Sequence, residues 1–262
     1  MHPLARIAVL GAVLSLASSA MAQESPMHRP VQDGQLWISG GFELRFDKEA
    51  QKRIKKAKEG RETGKLTGAE LERAEKRAAE AERSFKNRFR ITGEVDHRRS
   101  ENMTRSNLFY TVLGVRYRFH EYARLTLEHR YNIRPSGRNT HRINVQADTD
   151  RNFGRFNAGY RLAYQHEFTT PDKYRDIVRN RLQLSFRSKR FPVDPYISAE
   201  SFTAFHHTGN QLIGMRYGIG AEWKLSKDHV LDLSVRHHRE HGQPGLKYRW
   251  IFNVGYEFKW RR

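Results

Sequence analysis

The chain has 262 residues, enough for one large domain or two small ones. It carries 48 Lys and Arg against 29 Asp and Glu, a formal net charge of +19, and its mean hydropathy is −0.82. No apolar run after the N-terminus approaches the roughly 20 residues of a membrane helix. The absence of cysteine excludes disulfide scaffolds, zinc–thiolate sites and thiol nucleophiles.

The first element is a leader. Arg6 is followed by an apolar stretch from Ile7 to Ala17 and then by Ser18-Ser19-Ala20-Met21-Ala22. A basic start, a short apolar core and a small-residue end predict a secretory signal peptide over residues 1–22, cleaved after Ala22. The apolar core is too short for a membrane anchor. The mature chain is then 23–262, an exported bacterial protein.

Residues 47–83 stand apart in composition. They hold no aromatic residue, 12 basic and 9 acidic side chains, and Ile54, Leu66 and Leu71 as their only large apolar residues. Two helices are expected, separated by Gly60 to Gly68. Thr67-Gly68-Ala69-Glu70 fits a capping box at the start of the second. The interleaved acids and the lack of stacking aromatics argue against nucleic acid as a partner. The segment reads as a solvated helical hairpin inserted between strands.

From Ser84 onward the period changes to two. Phe156, Ala158, Tyr160, Leu162 and Tyr164 alternate with Asn157, Gly159, Arg161, Ala163 and Gln165; the same alternation runs through 213–225 and 250–260. Strands are expected near 36–46, 85–96, 108–119, 123–133, 141–149, 156–168, 177–187, 195–204, 212–225, 230–238 and 250–260. Most reach the roughly 9–11 residues of a tilted bilayer-crossing strand. Short connections at 120–122, 151–155 and 226–229 alternate with longer polar ones at 97–107, 134–140, 169–176, 205–211 and 239–249. Together these features predict an all-β fold, an antiparallel up-and-down transmembrane barrel of 10–12 strands in the outer membrane. Single-chain bacterial barrels have even strand numbers, so the eleven strands read here leave the count open within that range. A C-terminus in the periplasm places the 47–83 insert there too, with a partner that the sequence does not name.

Several segments carry a family resemblance. They are Gln35-Leu36-Trp37-Ile38, Gly114-Val115-Arg116-Tyr117-Arg118-Phe119, Leu127-Glu128-His129-Arg130-Tyr131 and Tyr160 to Phe168. Asn180-Arg181-Leu182, Pro195 to Glu200 and Asn253-Val254-Gly255-Tyr256-Glu257-Phe258 complete the series. In this order they resemble the uncharacterised bacterial outer-membrane barrel family catalogued as a domain of unknown function, number 2490. The resemblance covers most of 35–262; the charged insert departs from it. It implies a fold and a location, and neither an activity nor a site.

Arginine is the strongest chemical signal. A Lys or Arg facing lipid at mid-membrane costs about 2–4 kcal/mol, so the charged phase of each strand should face the interior. That phase holds 17 bases and 10 acids. The candidates lining the lumen are Arg90, Arg116, Glu128, Arg130, Arg161, Arg179, Arg181, Glu200, Arg216, Glu222, Arg236 and Glu257. The phase is ambiguous in 195–204 and in the first half of 108–119. Two readings stay open: an ion-paired interior that fills a narrow barrel, and a basic conduit or pocket for small anions. On the terminal strand, Tyr256, Phe258 and Trp260 share the lipid-facing phase, as an interfacial girdle and a signal for the barrel-assembly machinery would.

Other chemistry is weaker. His237 and His238 point to opposite faces, so only His238 and His241 could converge on a metal, and neither metal nor cofactor is expected. An outer-membrane acyl hydrolase would need a serine beside a histidine base; Ser234 and His238 lie about 13 Å apart along a strand. Phe205-His206-His207-Thr208 offers Thr in place of serine. The reading is therefore non-enzymatic, with an acyl hydrolase and a secreted soluble β-protein as the alternatives.

Overall fold

The structure is a computed structural model that describes residues 31–168, 176–187, 191–206, 209–241 and 247–262. The expected signal peptide lies outside the described residues. Eleven strands form one closed barrel. They are β1 (Val31–Arg45), β2 (Phe89–Ser100), β3 (Arg105–Arg118), β4 (Ala123–Ile133), β5 (Thr140–Phe153) and β6 (Phe156–Glu167). The round continues with β7 (Asp176–Phe186), β8 (Val193–His206), β9 (Gly209–Lys224), β10 (His229–Glu240) and β11 (Lys247–Arg261).

Each strand pairs antiparallel with the next in sequence, and the barrel closes through a parallel pair, β1 on β11, running from Val31 opposite Lys247 to Arg45 opposite Arg261. An odd number of alternating strands leaves the first and last pointing the same way, so closure must be parallel. The even-number rule, and not the reading of eleven strands, is what fails here. As a result the chain enters β1 at one end of the barrel and leaves β11 at the other.

The strands run further than their sequence pattern suggests, and the connections shrink accordingly. The polar segment 97–107 narrows to the turn Glu101–Thr104, because Arg98, Arg99 and Ser100 continue β2 across a register shift between Arg98 and Arg99. Glu101, Asn102 and Met103 all have positive φ, a costly conformation for residues with a Cβ. The start of β1 holds them there: the Met103 N–H donates to the Gly34 carbonyl at 3.0 Å and the Asn102 N–H to Asp33 Oδ1 at 3.1 Å.

The barrel is polar within and apolar outside. Leu113 and Leu182 are each 61% exposed on the outer face, whereas Glu43 is 2% and Thr126 0% exposed on the inner one. The outer face ends in rings of aromatics. Near the C-terminus, Phe156 meets Phe186 at 5.5 Å, Phe85 meets Tyr117 at 5.1 Å and His229 meets Phe258 at 5.1 Å. At the opposite end histidines join the ring: His129 lies 3.2 Å from His141, His166 lies 2.8 Å from Asp176, and His237 stacks at 5.5 Å on Tyr248.

Between β1 and β2 the chain forms α1 (Lys48–Thr63), α2 (Gly68–Arg83) and the single turn α3 (Phe85–Arg88). The turn takes the first residues of the strand expected at 85–96, so that β2 begins at Phe89. Glu70 accepts from the Thr67 N–H at 3.1 Å and from its hydroxyl at 2.8 Å, which holds the Glu70 carboxyl below its ordinary pKa. The helices meet along small residues, Ala50, Ala57, Gly60, Ala78 and Ala81, all buried. A search for large apolar side chains misses this seam. Arg61 pairs with Glu75 across it at 2.6 Å.

The ion pairs described for α1 and α2 stay within the hairpin, and its root is tied to the barrel end through the Lys48 N–H and the Arg262 carbonyl, 3.4 Å apart. Deleting 48–82 with a short Gly-containing replacement is therefore expected to leave the barrel folded, read as an unchanged heat-shifted band on a detergent gel. Loss of that band would mean that the hairpin supports the barrel wall.

Candidate functional site

The register of the sheet arranges the interior charges in rows. Arg45, Arg90 and Arg116 lie directly opposite one another on β1, β2 and β3. Like charges so placed repel. Glu43, one inward position along β1, offsets them: its carboxylate accepts from Arg45 Nε at 2.5 Å, from Arg90 Nη1 at 3.0 Å and from Arg116 Nη1 at 2.8 Å.

A second row crosses the other wall. Asp148, Arg161, Arg181, Glu200 and Arg216 are successive cross-strand neighbours from β5 to β9. Arg161 donates to Asp148 at 2.6 Å. Glu200 accepts from Arg179 Nε at 2.9 Å and from Arg216 Nη1 at 3.1 Å. The base excess of the interior is concentrated at Glu43 and Glu200, each held by more than one guanidinium.

Between the two clusters, arginines and aromatic rings fill the barrel toward the Glu101–Thr104 end. The Arg98 guanidinium carbon lies 3.6 Å from the Trp37 ring centroid and 4.9 Å from that of Tyr110. Arg130 lies 3.3 Å from the Tyr110 ring centroid. Arg216 reaches Trp37 at 5.1 Å and Phe202 at 4.7 Å, and Arg179 reaches Phe202 at 5.1 Å. Asp96 accepts from Arg98 at 2.9 Å, and the Tyr110 hydroxyl donates to Glu94 at 2.9 Å. Each such cation–π contact contributes about 0.5–2 kcal/mol; this arginine–aromatic cluster is called the plug after the role proposed for it below.

Toward the other end, beside the C-terminus and the root of the hairpin, the interior opens into a cavity of about 650 Å³. Arg161, Arg181, Glu222, Arg236 and Glu257 line it, and Arg124, Arg187, Asp194, Lys224 and Lys259 reach its mouth. Its lining holds seven bases and seven acids, so the cavity as a whole is balanced. Tyr196 forms part of the wall because residue 220 is glycine: a Cβ there would meet the Tyr196 hydroxyl at 2.6 Å. That hydroxyl donates to Asp232 at 2.8 Å.

The residues singled out in the sequence thus fall into separate groups. Arg90 and Arg116 hold Glu43; Arg130 belongs to the plug; Arg179, Glu200 and Arg216 form the second clamp. Glu128 accepts from Asn144 at 2.8 Å. Tyr256 and Trp260 are exposed on the outer face, with Phe258 half-exposed between them in sequence. Trp37, Arg98, Tyr110 and Phe202 were not among the candidates. Trp37 shares the parity of Glu43 and Arg45, which would have placed it inward; Arg98 fell in an apparent loop.

Ser234 and His238 do not meet. Ser234 accepts from Arg236 at 3.2 Å and His238 packs edge-on against Phe202 at 5.3 Å. Among the described residues no group of three or more His, Cys, Asp or Glu could hold a metal ion. The side chains of His206, His207 and Thr208 lie outside the described residues.

A closed barrel with an apolar exterior and an ion-paired interior defines the class of this protein. The family described as "Protein of unknown function (DUF2490)" matches residues 78–250, and the chain belongs to that family. Among solved structures it is similar to "Bacterial polysaccharide outer membrane secretin", at 11% identity and a TM-score of 0.44, covering 63% of this chain and 62% of that one. It therefore spans less than two thirds of that structure's length. It is also similar to the beta domain of the Bordetella autotransporter Brka, at 12% identity and a TM-score of 0.41, covering 65% of this chain and 84% of that one. No curated protein matches it.

Proposed function

We propose that the chain is a non-enzymatic, integral outer-membrane barrel whose interior is closed by the arginine–aromatic plug and whose polar cavity faces the periplasm. The observation that carries this reading is the inverted burial: exposed Leu113, Leu182, Ile197 and Ile219 outside, buried Glu43, Asp96, Asp148 and Glu200 inside. In water such an exterior would drive aggregation; in a bilayer it is the stable arrangement. In this reading the shorter turns, at 119–122, 154–155 and 225–228, face the periplasm, and with them the cavity mouth and the hairpin. The lipid of the outer membrane and, through β11, the assembly machinery are the partners of this reading.

Conductance tests the closed interior. Wild-type protein in a planar bilayer is expected to pass no steady current. The double variant Trp37→Ala, Arg98→Ala removes the contact between these two side chains in the plug and is expected to conduct. The remaining arginines should then give a reversal potential that favours anions under a salt gradient. A steady current through the wild type would contradict the plug, and cation preference in the variant would contradict a basic interior. Acyl release from phospholipid, lost on replacing Ser234 or His238, would move the protein to the hydrolases.

A further inference from the structure

The cavity is balanced in charge as a whole, but not at its inner end. Arg161 and Arg181 are directly opposite each other on β6 and β7, both facing inward. Arg161 is engaged by Asp148 at 2.6 Å. The cross-strand partner of Arg181 on its other side is Glu200, whose oxygens accept from Arg179 and Arg216. The hydrogen bond that Arg181 makes is with a neutral amide, Nη2 to Gln183 Oε1 at 2.7 Å. Among the described residues no carboxylate is hydrogen-bonded to it, and it lines the cavity beside another guanidinium.

A third guanidinium, that of Arg236, lines the same cavity. Arg236 on β10 is opposite Gly218, which is opposite Ser198, which is opposite Gln183. A Cβ at Gly218 would meet Ser198 Oγ at 2.9 Å and Arg236 Cγ at 3.2 Å. The stem of Arg236 therefore lies over the bare backbone of β9, and its Nε donates to Ser234 Oγ, one inward position along β10, at 3.2 Å. Its nearest carboxylate oxygen, on Asp232, is 3.7 Å away, and Asp232 already accepts from Tyr196 and from Asn253 at 3.0 Å.

We propose that Arg161, Arg181 and Arg236, with Gln183, form a binding site for the phosphate group of a small water-soluble solute that enters from the periplasmic mouth. Guanidinium groups present parallel donors that match phosphate oxygens, and the adjacent Glu200 clamp, two arginines on one carboxylate, adds to the positive potential. The cavity volume of about 650 Å³ falls within the range of about 300–1,000 Å³ for small-molecule pockets, larger than bare phosphate requires. Its lining is mostly polar: Ser185, Asn157 and Ser39 offer hydrogen bonds to hydroxyls, while Val230, Tyr160, Tyr196 and Tyr256 give little surface for acyl chains. The solute is accordingly a phosphorylated polyol or sugar and not a lipid headgroup.

Calorimetric titration of the purified full-length barrel in detergent with glycerol 3-phosphate, inorganic phosphate and glycerol tests this. The two phosphates are expected to bind and glycerol is not. Arg181→Gln should weaken glycerol 3-phosphate by about tenfold or more, the loss of a charge-assisted pair, while Arg105→Gln, at the distant start of β3, should leave it unchanged. The heat-shifted gel band reports folding separately, so loss of the barrel and loss of the site are distinguishable. If Arg181→Gln does not fold, Arg181→Lys, which keeps the charge but not the fork, should bind more weakly than wild type. Absence of phosphate binding by the folded wild type, equal affinity in the folded Arg181 variant, or binding of short-chain phosphatidic acid in preference to glycerol 3-phosphate would each overturn the proposal.

Discussion

Replacing Glu43 by Gln is expected to lower the stability of the barrel by about 3–5 kcal/mol, the cost of leaving buried charges without their counter-ion. Three guanidiniums, from Arg45, Arg90 and Arg116, meet on this one carboxylate, which is 2% exposed. Glutamine keeps the shape and one acceptor oxygen but removes the negative charge, so three like charges in one row are left to repel. The urea midpoint of the folded band measures the change. Glu101→Gln, in an exposed pair with Arg105 at 3.1 Å, should cost no more than about 1 kcal/mol. Equal midpoints for the two variants would contradict the role given to Glu43.

The double variant Phe258→Asp, Trp260→Asp is expected to abolish assembly into the membrane. Both residues lie on the outer face of β11, the strand that closes the barrel on β1 and pairs with β10. Each withdraws an aromatic side chain worth about 1.5–3 kcal/mol of burial in lipid. Each also puts a charge beside the interface ring where His229 meets Tyr256 and Phe258. The heat-shifted band in the outer-membrane fraction should disappear while the unfolded chain persists or is degraded. Normal levels of folded barrel would refute the assignment of β11 as the assembly signal.

What alternation could reveal in the sequence was the wall. Inward Arg161, Arg181 and Arg216 are legible because the apolar partners between them, such as Leu162, Leu182 and Tyr217, keep strict parity. The plug was hidden for local reasons. The run Arg98-Arg99-Ser100 is as polar as a loop, and the register shift at Arg98/Arg99 breaks the parity that would have carried β2 further. Phe202 lies at another irregularity, between Phe202 and Thr203, in the strand whose phase was ambiguous. The Glu43 cluster depends on pairing Arg45 with Arg90 across the inserted hairpin, and no local pattern sets a register over that separation. Parallel closure is likewise a property of the strand count and not of any one strand.

The central claim is that one face of each strand meets lipid and the other a packed polar interior. The chain lacks cysteine, so single spin-labelled cysteines introduced in reconstituted protein at Leu182, Gln183, Leu184 and Ser185 of β7 read that claim residue by residue. Labels at Leu182→Cys and Leu184→Cys should collide freely with oxygen dissolved in the bilayer and hardly with a water-soluble nickel chelate. Those at Gln183→Cys and Ser185→Cys, whose native side chains line the cavity, should show the opposite preference. Uniform access of the chelate to all four positions, or an inverted alternation, would contradict a membrane-spanning barrel.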